Sequence, residues 1–268
     1  MKPTAGHGLT LALLFAAAGC DVSRGATPPT TPDDIDNSAT PITTFTTPAS
    51  AGCPAPRTKS VLVDPTHDGG VWWFPQTATA GGFHPDSAHQ GRALAMYLRS
   101  LGYTVTELAR GATLPADSLM TYATVIRAGY YYDAAHPGYS DADRAAYAAY
   151  TACDRTLVIL AEYLKDGRKD DLAEDYGLQL AGIESGSVTT FESHTLTAGV
   201  GPFSYIAGST LTDSNPASVQ VLGRLANGKA VMGLVTMPDS RVFFMGDMNG
   251  IQLMPQPLVD NLIAWGFK

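Results

Sequence analysis

The chain has 268 residues, a net charge of −8, and 45% hydrophobic against 16% charged residues. That length suffices for one domain with a sizeable core, and a chain of that sign lacks the electrostatic footprint of a nucleic-acid binder. Internal repeats, heptad runs and blocks of like charge are absent from it.

Leu11 to Cys20, LALLFAAAGC, is an apolar run closed by small residues and a cysteine. It has the form of a signal peptide with its cleavage site, and it resembles a bacterial lipobox, whose cysteine becomes the lipid-bearing first residue. Ala17 stands where leucine is commoner, and the preceding segment carries only Lys2 and His7. The apolar run is shorter than the ~20 residues that a membrane-spanning helix needs. Residues 1–19 are therefore expected to be a signal peptide, with Cys20 lipidated and the protein exported and held on a bacterial membrane. An ordinary secretory signal cut nearby would leave Cys20 incidental.

From Ser23 to Pro56, 15 of 34 residues are Thr or Pro, and the large apolar residues are Ile35, Ile42 and Phe45. Such a composition buries too little apolar surface to offset ordering entropy. Residues 20–56 read as a tether and 57–268 as the folded domain, whose own net charge is −6. With Cys20 lipidated, Cys53 and Cys153 remain as an even pair in an exported chain, which suggests a disulfide. Closing so long a loop is worth about 4–5 kcal/mol if unstrained; two free thiols are the alternative.

Within the domain, Lys59–Asp64 (KSVLVD) is an apolar strand ending in a carboxylate. Leu94, Tyr97, Leu98 and Leu101 recur at helical spacing, after the cap candidates Asp86 and Ser87 and before the natural stop Gly102. Tyr103–Leu108 alternates as a strand, and Tyr122–Ala128 is a third. Ser140–Ala152 reads as a helix with Ser140 and Asp143 at capping-box spacing, Asp standing in for the usual Glu or Gln. Thr156–Ala161 is an apolar strand of the kind buried on both faces, and Asp170–Tyr176 is a short helix stopped by Gly177. Val188–Phe191, Val219–Leu225 and Ala230–Met237 form a β-rich stretch. Val242–Gly246 is another buried strand, and Pro257 opens a last helix to Gly266. This alternation predicts an α/β fold: a doubly wound, mainly parallel sheet with an antiparallel β extension at one edge.

In such a sheet ligands bind beyond the carboxyl ends of the strands. Those ends supply the candidate ligand-binding residues: Asp64, His67, Asp68 and Trp73 after the first strand, Tyr130 after the third, Glu162 after the fourth, Asp247 and Asn249 after the last. Carboxylates, a histidine and aromatics together suit a polar pocket with stacking walls. Each also has a plainer role: Asp64 before Pro65 can start a turn, Trp73 can pack as core, and Asp247 can cap the turn after it. His84 and His89 flank a helix start and could join His67 around zinc, but their spacing matches no established zinc motif. No metal or cofactor is expected. The G-x-S-x-G elbow, the G-x-x-x-x-G-K-[ST] phosphate loop and a complete G-x-G-x-x-G after a strand are all missing from the sequence.

VLVDPTHDGG, AHQGRALAMYLRSLGYTVTEL, SHTLTAGVGPFSYIAGS and RVFFMGDMNGIQ with PLVDNLIAWGF resemble the exported branch of the class I glutamine amidotransferase-like superfamily, across most of residues 57–268. The resemblance implies a flavodoxin-like sheet. It also exposes a departure. Amidotransferases carry a nucleophilic cysteine in a tight strand-to-helix elbow, whereas the comparable strand here runs LVILAEYLKDG, with Glu162 or Tyr163 at the turn and Cys153 at the strand's opposite end. Glutamine hydrolysis through a thiolate is not expected, and catalytic residues cannot be carried over. Three readings follow. The first is a lipoprotein whose domain binds a small molecule, glycan or protein partner without catalysis. The second is a carboxylate–histidine hydrolase, with or without a metal, acting on an extracytoplasmic substrate such as carbohydrate, with Asp64 or Glu162 as general base and His67 as base or ligand. The third is a structural or assembly component of the cell envelope.

Overall fold

The computed structural model describes residues 52–67, 89–129, 138–164, 168–213, 217–237, 240–249, 252 and 254–267. Among them, nine strands form one sheet: β1 (Arg57–Asp64), β2 (Thr104–Glu107), β3 (Tyr122–Ala128), β4 (Thr156–Leu160), β5 (Leu180–Phe191), β6 (Phe203–Leu211), β7 (Val219–Leu225), β8 (Ala230–Val235) and β9 (Arg241–Met245). Their order is β2-β1-β3-β4-β9-β8-β7-β5-β6. The pairings from β2 through β9 are parallel. Those from β9 through β6 are antiparallel. The expected mainly parallel sheet is thus corrected to an evenly mixed one. The antiparallel part continues the sheet beyond β9 at full scale.

The short parallel strands are apolar on both faces because helices cover both. On one face, α1 (Arg92–Ser100) and the last helix, α4 (Gln256–Gly266), bury Leu98, Leu258 and Leu262 against Val61, Val63, Ile126, Phe243 and Met245. On the other, α2 (Asp141–Thr151) and α3 (Asp171–Asp175) bury Tyr147, Tyr150 and Leu172 against Leu62, Val125, Ile159 and Phe244.

Local chemistry sets the helix starts. The Ser140 hydroxyl accepts from the Asp143 N–H at 3.2 Å, and Asp143 returns the bond to the Ser140 N–H at 3.2 Å. The shorter aspartate therefore completes the capping box. Asp170 starts α3 by accepting from the Ala173 N–H at 3.0 Å. Asp86 and Ser87, the expected caps of α1, lie outside the described residues; Gly91 occupies the cap position.

Sequence patterning missed β6 and the first half of β5. Both carry glycines and register shifts, and Ala207 in β6 has φ of 57°, so neither keeps the strict alternation that marks a strand.

Cys53 and Cys153 are joined by a disulfide across 100 residues, with Cα atoms 5.5 Å apart. Cys53 precedes β1 and Cys153 precedes β4, so the bond fastens the entering chain to the amino edge of the sheet. The Arg155 guanidinium donates to the Pro54 carbonyl beside it. Peptide mapping without reductant should recover one cross-linked peptide. Labelling of both thiols in protein isolated without reductant would contradict the bond.

Candidate functional site

The carboxyl ends of β1, β3, β4 and β9 lie side by side, with Asp64 opposite Arg127 and Leu160 opposite Met245. Alternation along the strands then divides the expected site. Asp64 points into the core beneath α2, where its bonding partners Tyr139 and Tyr147 lie. Glu162 and Asp247 follow Leu160 and Met245 by two residues each. Their charges act on Tyr205, which belongs to the opposite core. The two sets thus meet residues of different cores.

Asp64 is wholly buried and accepts four hydrogen bonds. One oxygen takes the Thr66 N–H at 2.9 Å and the Thr66 hydroxyl at 2.5 Å. The other takes the Tyr139 and Tyr147 hydroxyls at 2.9 and 2.6 Å. Burial, then the Asp64 charge, push both phenols well above their ordinary pKa. His67 lays its ring 4.2 Å from that of Tyr139. Beside them, wholly buried Arg127 donates to the Asp170 carboxylate at 2.5 Å and to the Gly129 carbonyl at 3.1 Å. Burial pulls the Arg127 pKa down, but Asp170, Tyr139 and Tyr147 outweigh it, and the guanidinium stays above its usual value. This side is a polar network that ties β1 and β3 to α2 and α3.

On the other side, Glu162 is 2% exposed and one carboxylate oxygen accepts its neighbour's N–H, that of Tyr163, at 3.0 Å. Asp247 is wholly buried and accepts from the Ile206 and Asn249 N–H groups, each at 2.7 Å. β6 folds over these strand ends closely enough that two glycines are required. A Cβ on Gly208 would stand 2.5 Å from the Asp247 Cβ, and one on Gly246 2.1 Å from the Ser209 carbonyl. Asn249 donates to the Ile206 carbonyl at 3.1 Å and accepts from the Gln90 amide at 2.8 Å. That bond carries the edge of the sheet across to the start of α1. There a cleft of about 520 Å³ opens between α1 and α4, lined by His89, Gln90, Arg92, Met96, Tyr97 and Met254 among others. His89 itself faces buried Glu107 at 3.1 Å, and Arg99 holds the other oxygen of that carboxylate at 2.7 Å.

Asp68, Trp73, Tyr130 and His84 lie outside the described residues, as does Cys20. Among the described residues no cluster of three or more His, Cys, Asp or Glu could hold a metal ion. Sequence reasoning missed Arg127, Tyr139, Tyr147, Asp170, Tyr205 and Gln90. A single arginine inside the apolar run YATVIRA was a visible signal, since a buried charge requires a partner; Gln90 left none.

Neither a protein-family model nor a curated protein matches the sequence. Solved structures do. The mmIFT52 N-terminal domain matches with a TM-score of 0.55 and 11% identity, covering 76% of this chain and 94% of that one. The likeness is one of fold. Structural neighbours also include a protein described as ThuA-like from Bacteroides uniformis, with a TM-score of 0.48, 13% identity and coverage of 82% and 93% of the two chains. A second ThuA-like protein, from Parabacteroides merdae, has a TM-score of 0.46, 11% identity and coverage of 79% and 91%.

Proposed function

We propose that this protein is an exported, lipid-anchored binding protein whose glutamine amidotransferase-like domain takes a ligand at the carboxyl edge of its sheet and performs no glutaminase chemistry. The parallel half, ordered β2-β1-β3-β4-β9, follows the strand order of the flavodoxin-like doubly wound sheet. The observation that carries the reading is the end of β4. A thiol nucleophile would stand there, yet the turn holds Glu162 and Tyr163. Cys153 lies at the strand's other end, bonded to Cys53. A disulfide sulfur has no thiolate to offer. The hydrolase reading needs Asp64, His67, Glu162 and Asp247 in one crevice. Asp64 taken up by Thr66, Tyr139 and Tyr147, and Asp247 accepting two backbone N–H groups, favour binding over acid–base catalysis.

Three measurements test this. Purified protein should release no ammonia from glutamine, and turnover abolished by Cys153→Ser would overturn the reading of β4. A thermal-shift panel of sugars, sugar acids, amino acids and nucleotides should yield a stabilising ligand, and a blank panel would overturn the binding role. Mass spectrometry of membrane-extracted protein should find a diacylated Cys20 at the N-terminus; an unmodified N-terminus elsewhere would remove the anchor.

A further inference from the structure

The cleft between α1 and α4 presents two groups that the protein does not itself satisfy. Arg92 lines it, and its side chain has no hydrogen bond or ion pair among the described residues. The nearby acids have other partners, although Asp260 meets both of its own through Oδ1. Asp260 accepts from the Tyr97 hydroxyl at 2.5 Å and the Gln256 amide at 2.8 Å, and Glu107 is held by His89 and Arg99. Neither α1 nor α4 has an acidic residue in its first turn to compete for Arg92. An unmatched guanidinium in a cleft, on a chain of net charge −8, calls for an anion, and its planar fork suits a carboxylate.

The second group is Gln90. Its Oε1 is buried with no hydrogen-bond partner among the described residues. The orientation of this amide follows from its neighbours. Asn249 must turn its Nδ2 to the Ile206 carbonyl, so it offers Oδ1 to Gln90, which must answer with Nε2. Gln90 therefore keeps Oε1 as an acceptor in reserve. A buried acceptor without a donor is rare in native structures and requires an explanation. A ligand hydroxyl supplies one. Met96, Met254, Val259 and Leu94 line the same cleft and can receive a carbon skeleton. Its volume is that of a small-molecule site.

We propose that this cleft binds a small carboxylate bearing hydroxyl groups, the chemistry of a sugar acid. Arg92 takes the carboxylate, Gln90 Oε1 accepts a hydroxyl, and Asn249 is a positioning residue that acts through Gln90. The proposal rests on the binding role set out above and names the ligand class and the place.

The test is calorimetric titration of the full-length chain with glucuronate, with glucose and inorganic phosphate as comparison probes. Glucuronate should saturate one site and bind at least tenfold tighter than either comparison probe. R92Q should weaken glucuronate at least tenfold and leave the Tm of the unliganded protein unchanged, while R92K restores part of the affinity. Absence of saturation, equal affinity for glucose, equal affinity for phosphate, or indifference to R92Q would each overturn the proposal. A panel ligand of another class, bound with full affinity by R92Q, would overturn the cleft and leave the binding role standing; a blank panel removes both.

Discussion

Asp64→Ala is expected to lower the stability of the domain by on the order of 5 kcal/mol, because it removes the acceptor of three side-chain donors in a wholly buried site. A hydrogen bond to a charged group contributes roughly 1.5–3 kcal/mol. Asp64 accepts from Thr66 twice and from the buried hydroxyls of Tyr139 and Tyr147. The tyrosines belong to the approach and body of α2, so losing the carboxylate also unlocks that helix from β1. A domain has about 5–15 kcal/mol in total, which places the variant at the edge of folding. Asp64→Asn retains an acceptor for one pair of donors and should lose about half as much. Urea unfolding reads the difference as a fall in midpoint at constant slope. A residue at a ligand site behaves in the opposite way: its substitution removes binding and leaves the midpoint nearly in place. An Asp64→Ala protein within about 1 kcal/mol of the parent would show that the network is not what holds this edge.

The contrast between Asp64 and the pair Glu162 and Asp247 shows where sequence reasoning stops. That each ends or follows a strand is visible in the alternation of apolar runs, and the parallel strands agree with their expected ranges to within a residue or two. Which face each side chain takes depends on the register between strands, and a shift of one residue reverses it. Nothing local sets that register in parallel strands joined by long crossovers. The same holds for Gln90, which meets Asn249 across 159 positions. The capping box of α2 was legible because its four residues carry all of its chemistry. β6 was not, because its left-handed Ala207 and the adjacent Gly208 serve contacts with Asp247 at the end of β9, which only the folded sheet brings near.

Steep loss of stability above about pH 10 is the other large effect expected, and it follows from the number of buried phenols. Tyr139, Tyr147 and Tyr205 are raised well above the ordinary phenol value, and Tyr150 and Tyr176 are raised as well, in every case first by burial. In the unfolded chain each ionises near pH 10, at about the free-tyrosine value. Below that pH both states keep the proton, and the stability these groups contribute is complete. Above it the unfolded state gives up protons that the folded state must hold, so stability falls until pH passes the folded values. Each tyrosine contributes a slope of about 1.4 kcal/mol per pH unit, and the five together about 7. A domain of ordinary stability is exhausted within one to two such units. Unfolding monitored by circular dichroism should therefore collapse cooperatively at alkaline pH, together with a late rise in phenolate absorbance from these five. Tyr150→Phe, which gives up the bond to the Thr156 carbonyl, should reduce the slope by about one fifth. If all the phenols of the folded protein ionise near pH 10 with the fold intact, the buried tyrosines do not govern its alkaline limit.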